Sequence, residues 1–252
     1  MKISVTKTQI ISIASVLVML LMWKLLSAHF NSEFILPPPG KTLVKTLMLV
    51  RDGSFLTIVG STVARGAFGF FISFVLGVAA GIWAGTSTGF NAFLRPILVT
   101  LRSVPVISFI LLALIWLNSS LVPVFIAMLT MFPFICTNVT DGISSIDRDL
   151  VEMAVFYKTS RKRIVYEVFI PAIIPFIISG ASSAMGIGWR AIIIGEVLSQ
   201  PKYGIGTVMH EAQTFLNVDA VIAWTIVAVL ISYLSEKLIR ITERKITGWR
   251  QL

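Results

Sequence analysis

Six long apolar runs constrain this chain more than any other feature of its sequence. They cover residues 10–28, 57–85, 95–117, 121–140, 168–199 and 218–239. A helix needs about 20 apolar residues to cross the hydrocarbon core of a bilayer. Only helices and closed barrels satisfy every backbone polar group there. The sequence therefore predicts an all-α membrane protein with about six transmembrane helices.

The composition supports this class and excludes others. Of the 252 residues, 56% are hydrophobic and only 13% are charged, whereas soluble domains carry about 25% charged residues. The single cysteine, Cys136, excludes an internal disulfide. The net charge of +9 does not indicate nucleic-acid binding, because the basic residues are spread over several loops instead of one face.

Local features divide the chain. Residues 1–30 are interpreted as an uncleaved transmembrane helix, and residues 31–56 as an extracytoplasmic Pro-rich linker followed by a surface helix at 41–50. The membrane core is expected at 57–242, with a cytoplasmic loop at 141–166, and a cytoplasmic basic tail at 243–252. Gly40-Lys41-Thr42 resembles the end of a phosphate-binding loop, but no strand precedes it, so we interpret it as a helix start.

Several runs carry interruptions. Six glycines in 57–85 let membrane helices approach closely, so this run is expected among other helices. Pro105 and Arg102 predict a broken helix within 95–117. The run at 168–199 is longer than a straight crossing requires and must tilt, bend or leave the lipid. The segment 200–217 is interpreted as a polar loop.

A charged segment, 149–171, separates the fourth and fifth runs. Met153, Phe156 and Tyr157 stand at i, i+3 and i+4, which predicts one apolar face on a short helix starting near Asp149, its expected N-cap. Thr159 then breaks the pattern.

A second short helix is expected to follow at once. Ser160 is positioned to cap it, and it begins at the basic cluster Arg161, Lys162 and Arg163. The segment therefore predicts two short helices with a kink between them, standing in water with an apolar and charged face.

Charges inside the runs are costly and mark function by default. Arg65 lies near a helix end and favours a structural role. Glu196 follows Arg190 by six residues, about 120° around a helix, so an ion pair within the helix is not expected. Arg190 then either pairs with another helix or lines a path. Our hypothesis places Arg102, Arg190 and Glu196 on a translocation path for an anionic solute.

Most of the lysines and arginines lie at the N terminus, in the charged segment and in the C-terminal tail. Loops rich in these residues stay in the cytoplasm. The predicted topology therefore has both termini and residues 141–166 in the cytoplasm.

The charged segment resembles the cytoplasmic loop of bacterial ABC-importer permeases, whose pattern is E-A-A, three residues, G, nine residues, I-x-L-P. Glu152, Ala154 and Pro171 match at that spacing. Val168 and Ile170 are conservative replacements. Met153 and Lys158 depart from the family's Ala and Gly, and the Lys leaves the geometry of the turn open, because glycine takes a positive φ at little cost.

The resemblance extends over nearly the whole chain from residue 36 and is to the branch associated with nitrate, sulfonate and taurine import. The matching segments are Leu36–Pro39, Ser61–Arg65 with Gly69–Phe70, Leu101–Pro105, Phe132–Phe134 with Asn138 and Gly142, Gly188–Trp189 with Glu196, Gly204–Gly206, and Glu243–Arg244 with Trp249. The segment Leu117–Ser120 departs from the usual Gly-rich turn, and Arg190 is unusual.

This resemblance implies a type I ABC importer permease in a bacterial inner membrane. It implies as partners a second permease copy, two ATPase subunits carrying ATP and Mg²⁺, and an extracytoplasmic binding protein. This chain itself is then not an enzyme and has no catalytic residue, metal site or cofactor. The ATPase-docking residues that it implies are Glu152, Met153, Ala154, Phe156, Tyr157, Lys158, Ser160 and Arg161.

Two other classes of protein fit the sequence less well. The intramembrane charges would also suit an ion-gradient-driven secondary transporter or channel, but six helices without a visible inverted repeat are few for one. Such a protein also has no need of the charged segment. An intramembrane enzyme finds little support, because His29 and His210 lie outside the apolar runs. Whether the permease pairs with itself or with a similar chain stays open.

Overall fold

The structure, a computed structural model, describes residues 3–247, with the side chains of 3–8, 148 and 242–247 left aside. Within this range it is built from helices alone. They are α1 (Ile3–Phe30), α2 (Pro39–Arg51), α3 (Phe55–Thr86), α4 (Thr88–Ser103), α5 (Val106–Trp116), α6 (Val122–Ser144), α7 (Arg148–Phe156), α8 (Arg161–Ile164), α9 (Ile170–Ser199), α10 (Ile205–Thr214) and α11 (Val218–Thr247). A π-helical turn, Val165–Phe169, joins α8 to α9.

The prediction of about six spans is confirmed. Among the described residues, five helical segments are long and apolar enough to cross a membrane. The α4–α5 pair makes a sixth if it is one span bent by 96°. Pro105 is the N-cap of α5, which places the predicted break where the sequence indicated it. The basic tail predicted at 243–252 lies outside the described side chains.

Helix α6 packs on α3 along a stripe of small residues. The contacts pair Gly69 with Ala127, Gly77 with Ile135, Gly81 with Val139, and Gly85 with Ile143. The residue numbers increase together along both helices, so the two helices run in the same direction. A Cβ atom added at Gly81 would lie 2.7 Å from the Cβ atom of Val139. The expectation that this Gly-rich run is buried among other helices is confirmed.

Helix α9 covers another face of α6 in the opposite direction. The contacts pair Gly142 with Phe176, Gly180 with Asn138, Gly188 with Met131, and Gly195 with Pro123. The residue numbers increase along one helix as they decrease along the other, so α9 is antiparallel to α6. Because α3 and α6 run in the same direction across the membrane, α4 and α5 together must make one crossing between them. The helix directions therefore support six crossings.

One sequence interpretation was wrong. The sequence predicts a polar loop at residues 200–217, but Ile205–Thr214 form α10, which packs against α9, α11 and α3. Ile205 and Ala212 are buried on its inner face. The helix is short and carries polar residues on its outer face, so its apolar content is too low to stand out. Its stability depends on the neighbouring helices.

The two short helices predicted in the charged segment are present. The cap of the first was predicted wrongly, because α7 begins earlier and Asp147 caps it by accepting a hydrogen bond from the backbone N–H of Asp149 at 2.9 Å. The cap of the second is confirmed, since the Ser160 hydroxyl accepts from the N–H of Arg163 at 3.4 Å. The predicted surface helix at 41–50 is also present as α2.

Candidate coupling surface and translocation groove

The exposed apolar face of α7, together with α8, is called the coupling surface below. Phe156 is 81% exposed and Tyr157 is 74% exposed. Met153 is also exposed. The rings of Phe156 and Tyr157 meet edge to face, with their centroids 5.8 Å apart. Large apolar groups grouped on one exposed surface mark a site of interaction with another molecule.

The turn after α7 has the geometry that glycine would favour. Lys158 has a φ of 56°, in the left-handed region that L-residues rarely enter. The backbone N–H of Lys158 donates to the carbonyl of Val155 at 2.9 Å, and that of Thr159 donates to the carbonyl of Ala154 at 3.0 Å. These bonds close the end of the helix. The turn therefore forms without the family's glycine, at a cost in backbone strain.

The other predicted docking residues lie around the same elbow. Glu152 lines a cleft of about 570 Å³ between α7 and the ends of α3 and α6. Ala154 is half-buried, and Arg161 is exposed. Ser160 serves as a helix cap. The structure thus brings all the predicted docking residues together in one elbow.

A groove of about 850 Å³ runs between α9 and α11 and is called the translocation groove below. Arg190 lines it and is exposed. No hydrogen bond or ion pair joins Arg190 to any side chain that the structure describes. The groove also carries the hydroxyl groups of Ser182, Ser183, Thr225, Ser232 and Tyr233.

A second arginine and an acid lie along this groove. Glu236 accepts hydrogen bonds from Arg240 at 2.6 and 3.0 Å, one helical turn away on α11. This pairing occupies the groove's carboxylate. The two arginines and one glutamate leave the groove with a net positive charge.

Arg102 is not part of this groove. Its guanidinium donates to the carbonyl of Pro133 at 2.9 Å and to the hydroxyl of Thr137 at 2.7 Å. It also lies 4.9 Å from the centre of the Phe134 ring. These contacts tie the end of α4 to α6, so the structure separates Arg102 from Arg190.

Glu196 is fully buried near the C-terminal end of α9, where Arg190 also lies. Its carboxylate accepts hydrogen bonds from the guanidinium of Arg65 at 2.6 Å, the hydroxyl of Thr62 at 2.9 Å, and the N–H of Gly206 at 3.0 Å. Arg65 also donates to the carbonyl of Tyr203 at 2.7 Å. This buried network connects α3, α9 and the start of α10.

Sequence reasoning missed this ion pair, although it rightly expected no pair between Glu196 and Arg190. The signal was available, because each charge lies in an apolar run and needs a partner. The segment Gly204–Gly206 also belongs to this network, since a Cβ atom at Gly204 would lie 2.6 Å from the Glu196 carboxyl carbon. Three parts of the chain that match the family separately, Ser61–Arg65, Glu196 and Gly204–Gly206, thus meet at one point.

These features define a class of protein. The chain is a multi-pass, all-α membrane protein with a positively charged groove between two spans and an exposed apolar elbow at one end. Among the described residues, no three His, Cys, Asp or Glu side chains gather as a metal site would need. The arrangement is that of a transport subunit.

The family is shown by a match over most of the chain. The profile of the family described as "binding-protein-dependent transport system inner membrane component" matches residues 73–248. The chain therefore belongs to this family and is a permease subunit of an ABC importer in the inner membrane. This finding sets aside the ion-gradient-driven alternative.

Relatives agree with the branch that the sequence indicated. The taurine transport system permease protein of Escherichia coli (strain K12) is 25% identical over 95% of this chain and 89% of its own length. An aliphatic sulfonates transport permease protein of Bacillus subtilis (strain 168), itself named as putative, is 28% identical over 87% and 79%. A bicarbonate transport system permease protein of Synechocystis is 27% identical over 79% and 75%.

Solved structures share the fold. The MetNI methionine ABC transporter, in an inward-facing conformation, has a chain that matches with a TM-score of 0.66 at 16% identity, over 81% of this chain and 98% of that chain. An amino acid ABC transporter matches with a TM-score of 0.62 at 14% identity, over 81% and 96%. The type I importer permease arrangement is thereby confirmed.

Proposed function

We propose that this permease forms a path for a small anionic solute by pairing with a second copy. Two ATPase subunits, which bind ATP and Mg²⁺, drive it from the cytoplasm, and an extracytoplasmic binding protein delivers the solute. The named relatives support the solute class, because taurine, aliphatic sulfonates and bicarbonate each carry an oxyanion group. The net positive charge of the translocation groove supports it independently.

The exposed apolar face of α7 carries the proposal of ATPase coupling. Phe156 and Tyr157 are 81% and 74% exposed, whereas most of the other large exposed hydrophobic side chains lie on the membrane-length helices. In the proposed topology this elbow is cytoplasmic, so lipid does not cover it. A cleft on each ATPase subunit would bury these rings, and the basic start of α8 would face the same partner.

The translocation groove is the proposed wall of the path. Of the three path residues assigned from the sequence, Arg190 alone lies in it. Arg102 and Glu196 contribute by holding α4 and α9 to their neighbours. When the coupling surface is displaced by the ATPase pair, α9 is placed to move with it, because the π-helical turn joins α8 to α9 without a loop.

Replacement of the most exposed ring tests the coupling surface. Phe156→Ala removes a side chain that contributes on the order of 3 kcal/mol where it is fully buried at an interface. We expect co-purification with the ATPase subunits and transport to fall, with membrane insertion unchanged. Phe215→Ala is the matched control, because Phe215 is 75% exposed but follows α10, at the end of the molecule away from α7.

The outcome that would contradict the coupling proposal is equally specific. If Phe156→Ala retains the ATPase subunits and transports as well as the Phe215→Ala control, α7 is a solvated connection and the ATPase docks elsewhere.

A further inference from the structure

The translocation groove ends against α10. Residues 182–194 of α9 and 225–240 of α11 form its two walls, and α10 contributes Met209. Helix α11 leads into the basic tail, so in the proposed topology the end of the groove at Ile194 and Thr225 is the extracytoplasmic one. A solute delivered from outside therefore meets α10 before it can enter the groove.

Apolar side chains fill the space beyond that end of the groove. Ile205, Val208 and Met209 of α10 pack in one cluster with Ile193 of α9 and Trp224 of α11. Ile205 is 1% exposed and Trp224 is 5% exposed. A packed apolar layer excludes water and a charged solute, because neither finds a hydrogen-bond partner in it. Helix α10 thus joins the two walls and closes this end of the groove.

The start of α10 is fixed to its neighbours. The N–H of Ile205 donates to the hydroxyl of Thr62 at 2.9 Å, and the N–H of Gly206 donates to the buried carboxylate of Glu196 at 3.0 Å. A Cβ atom at Gly206 would lie 2.4 Å from the carbonyl oxygen of Ile193. The backbone of α10 therefore lies directly against α9 at this point, and any movement of this part of α9 is transmitted to it.

The other end of α10 is held less firmly. Residues 213–217 are exposed, and the N–H groups of residues 215–217 donate to carbonyls of α10 itself. Exposed segments with few buried apolar contacts open at a lower free-energy cost than the rest of a protein. A rotation of α10 about its fixed start would therefore move its far end outward and lift Met209 from the groove.

We propose that α10 is the extracytoplasmic gate of the translocation groove, with Met209 as the side chain that seals it. When the ATPase pair displaces the coupling surface, α9 moves, and α10 follows because its start is bound to Glu196 on α9. The gate then opens by rotation about Gly206. This inference rests on the proposed function and adds the element that controls entry of the solute.

Reaction of a groove cysteine from each side of the membrane tests the seal. The reporter is Ser183→Cys in a Cys136→Ser background, because Ser183 is exposed and lines the groove. The complete permease–ATPase complex is studied in right-side-out and inside-out membrane vesicles. The probe is 2-sulfonatoethyl methanethiosulfonate, a small anion that does not cross the bilayer. Without nucleotide, we expect labelling from the cytoplasmic side and very slow labelling from the extracytoplasmic side.

Variants of the sealing side chain should change the extracytoplasmic labelling. Met209→Ala should raise its rate about tenfold or more, because truncation of a packed side chain shifts the gate toward its open form. Met209→Leu keeps the volume and apolar character and should label as slowly as the reporter with the intact gate. Met128→Ala is the matched control, because Met128 is also half-buried but lies on α6 outside the groove. The melting temperature of each purified complex checks its assembly.

Hydrogen exchange of the wild-type complex supplies a test that does not depend on the folding of a variant. The backbone amides of residues 207–214 should exchange about fivefold or more faster with ATP and vanadate on the ATPase subunits than without nucleotide, because a short helix that loses its packing frays. The amides of α2, which lies on the same side of the membrane in the proposed topology, should exchange equally in both states.

Three results would overturn the inference. One is equal extracytoplasmic labelling of the Met209→Ala and Met209→Leu reporters. Another is labelling of the Met128→Ala control as fast as that of Met209→Ala, which would indicate general loosening of the helices. The third is unchanged exchange of residues 207–214 between the two nucleotide states, and this result decides the question even if Met209→Ala does not assemble.

Uptake of taurine, ethanesulfonate and bicarbonate by the wild-type importer with its binding protein is measured separately. If uptake occurs while Met209→Ala labels like the control, the proposed function stands and the gate is wrong. If none of these anions is taken up while Met209→Ala labels faster than the control and α10 exchanges as expected, the gate stands and the proposed solute class is wrong.

Discussion

The buried pair of Glu196 and Arg65 permits a quantitative prediction. Glu196 is completely buried, and Arg65 is 14% exposed. Removing one partner of a buried pair leaves the other charge uncompensated, which costs about 3–5 kcal/mol. Arg65 keeps its bond to the carbonyl of Tyr203 and has some contact with solvent, so we expect Glu196→Gln to lie near the lower end, at about 3 kcal/mol.

A loss of that size is measurable as a fall in melting temperature. For chains of this length, 1 kcal/mol corresponds to about 2–4 °C, so the purified Glu196→Gln complex should melt about 6–12 °C lower than the wild type. The N–H of Gly206 also loses its carboxylate acceptor, so residues 200–206 should exchange amide hydrogen faster. Nothing in the network reaches α7, and ATPase co-purification should be retained.

A double-mutant cycle isolates the pair itself. Arg65→Gln alone should also destabilise, because it leaves the Glu196 carboxylate buried without its cation. The Arg65→Gln, Glu196→Gln double variant removes both charges and should cost clearly less than the sum of the two single changes. Glu167→Gln is the control, since Glu167 pairs with Arg163 on the exposed surface, where ion pairs contribute little.

Two results would refute this reasoning. One is a Glu196→Gln complex that melts with the Glu167→Gln control, which would show that the carboxylate is solvated or neutral. The other is strict additivity in the cycle, which would show that the two side chains do not interact.

Three further predictions concern the turn, the helix packing and the topology. Lys158→Gly should stabilise the elbow by about 1 kcal/mol, because glycine removes the strain of a positive φ; a lower melting temperature would contradict this. Gly81→Leu should destabilise the protein by about 1–3 kcal/mol, because the larger side chain forces α3 away from α6. Gly60→Leu is the control and should insert and assemble normally, because a Cβ atom there meets nothing within 4 Å. Equal effects of the two substitutions would contradict the packing. A cysteine introduced at Lys162 should react with a membrane-impermeant thiol reagent only after the cells are opened. A cysteine introduced at Ser120 should react in intact cells whose outer barrier is permeabilised. The reverse pattern would place α8 outside the cytoplasm.

Much of the fold could be predicted from the sequence, because its signals are local. A span needs only a long apolar run, so the crossings, the break at Pro105 and the cap at Ser160 follow from short stretches. The exposed apolar face of α7 was also predictable, because its residues lie within one segment and its spacing matches a family pattern. Even there the helix start was misplaced, because Asp147 and Asp149 are both good caps and backbone geometry chooses between them.

The rest depended on contacts between distant parts of the chain. Arg65 and Glu196 lie 131 positions apart, and no local pattern could join them. Arg102 and Arg190 looked alike in the sequence, since both are arginines in apolar runs, and only the packing of α4 on α6 separates them. The sequence by itself determined which segments enter the membrane, because transfer into lipid depends on the composition of each segment. Tertiary structure alone decided which charges are paired and which face of α9 stays open, because those outcomes depend on how separate helices approach one another.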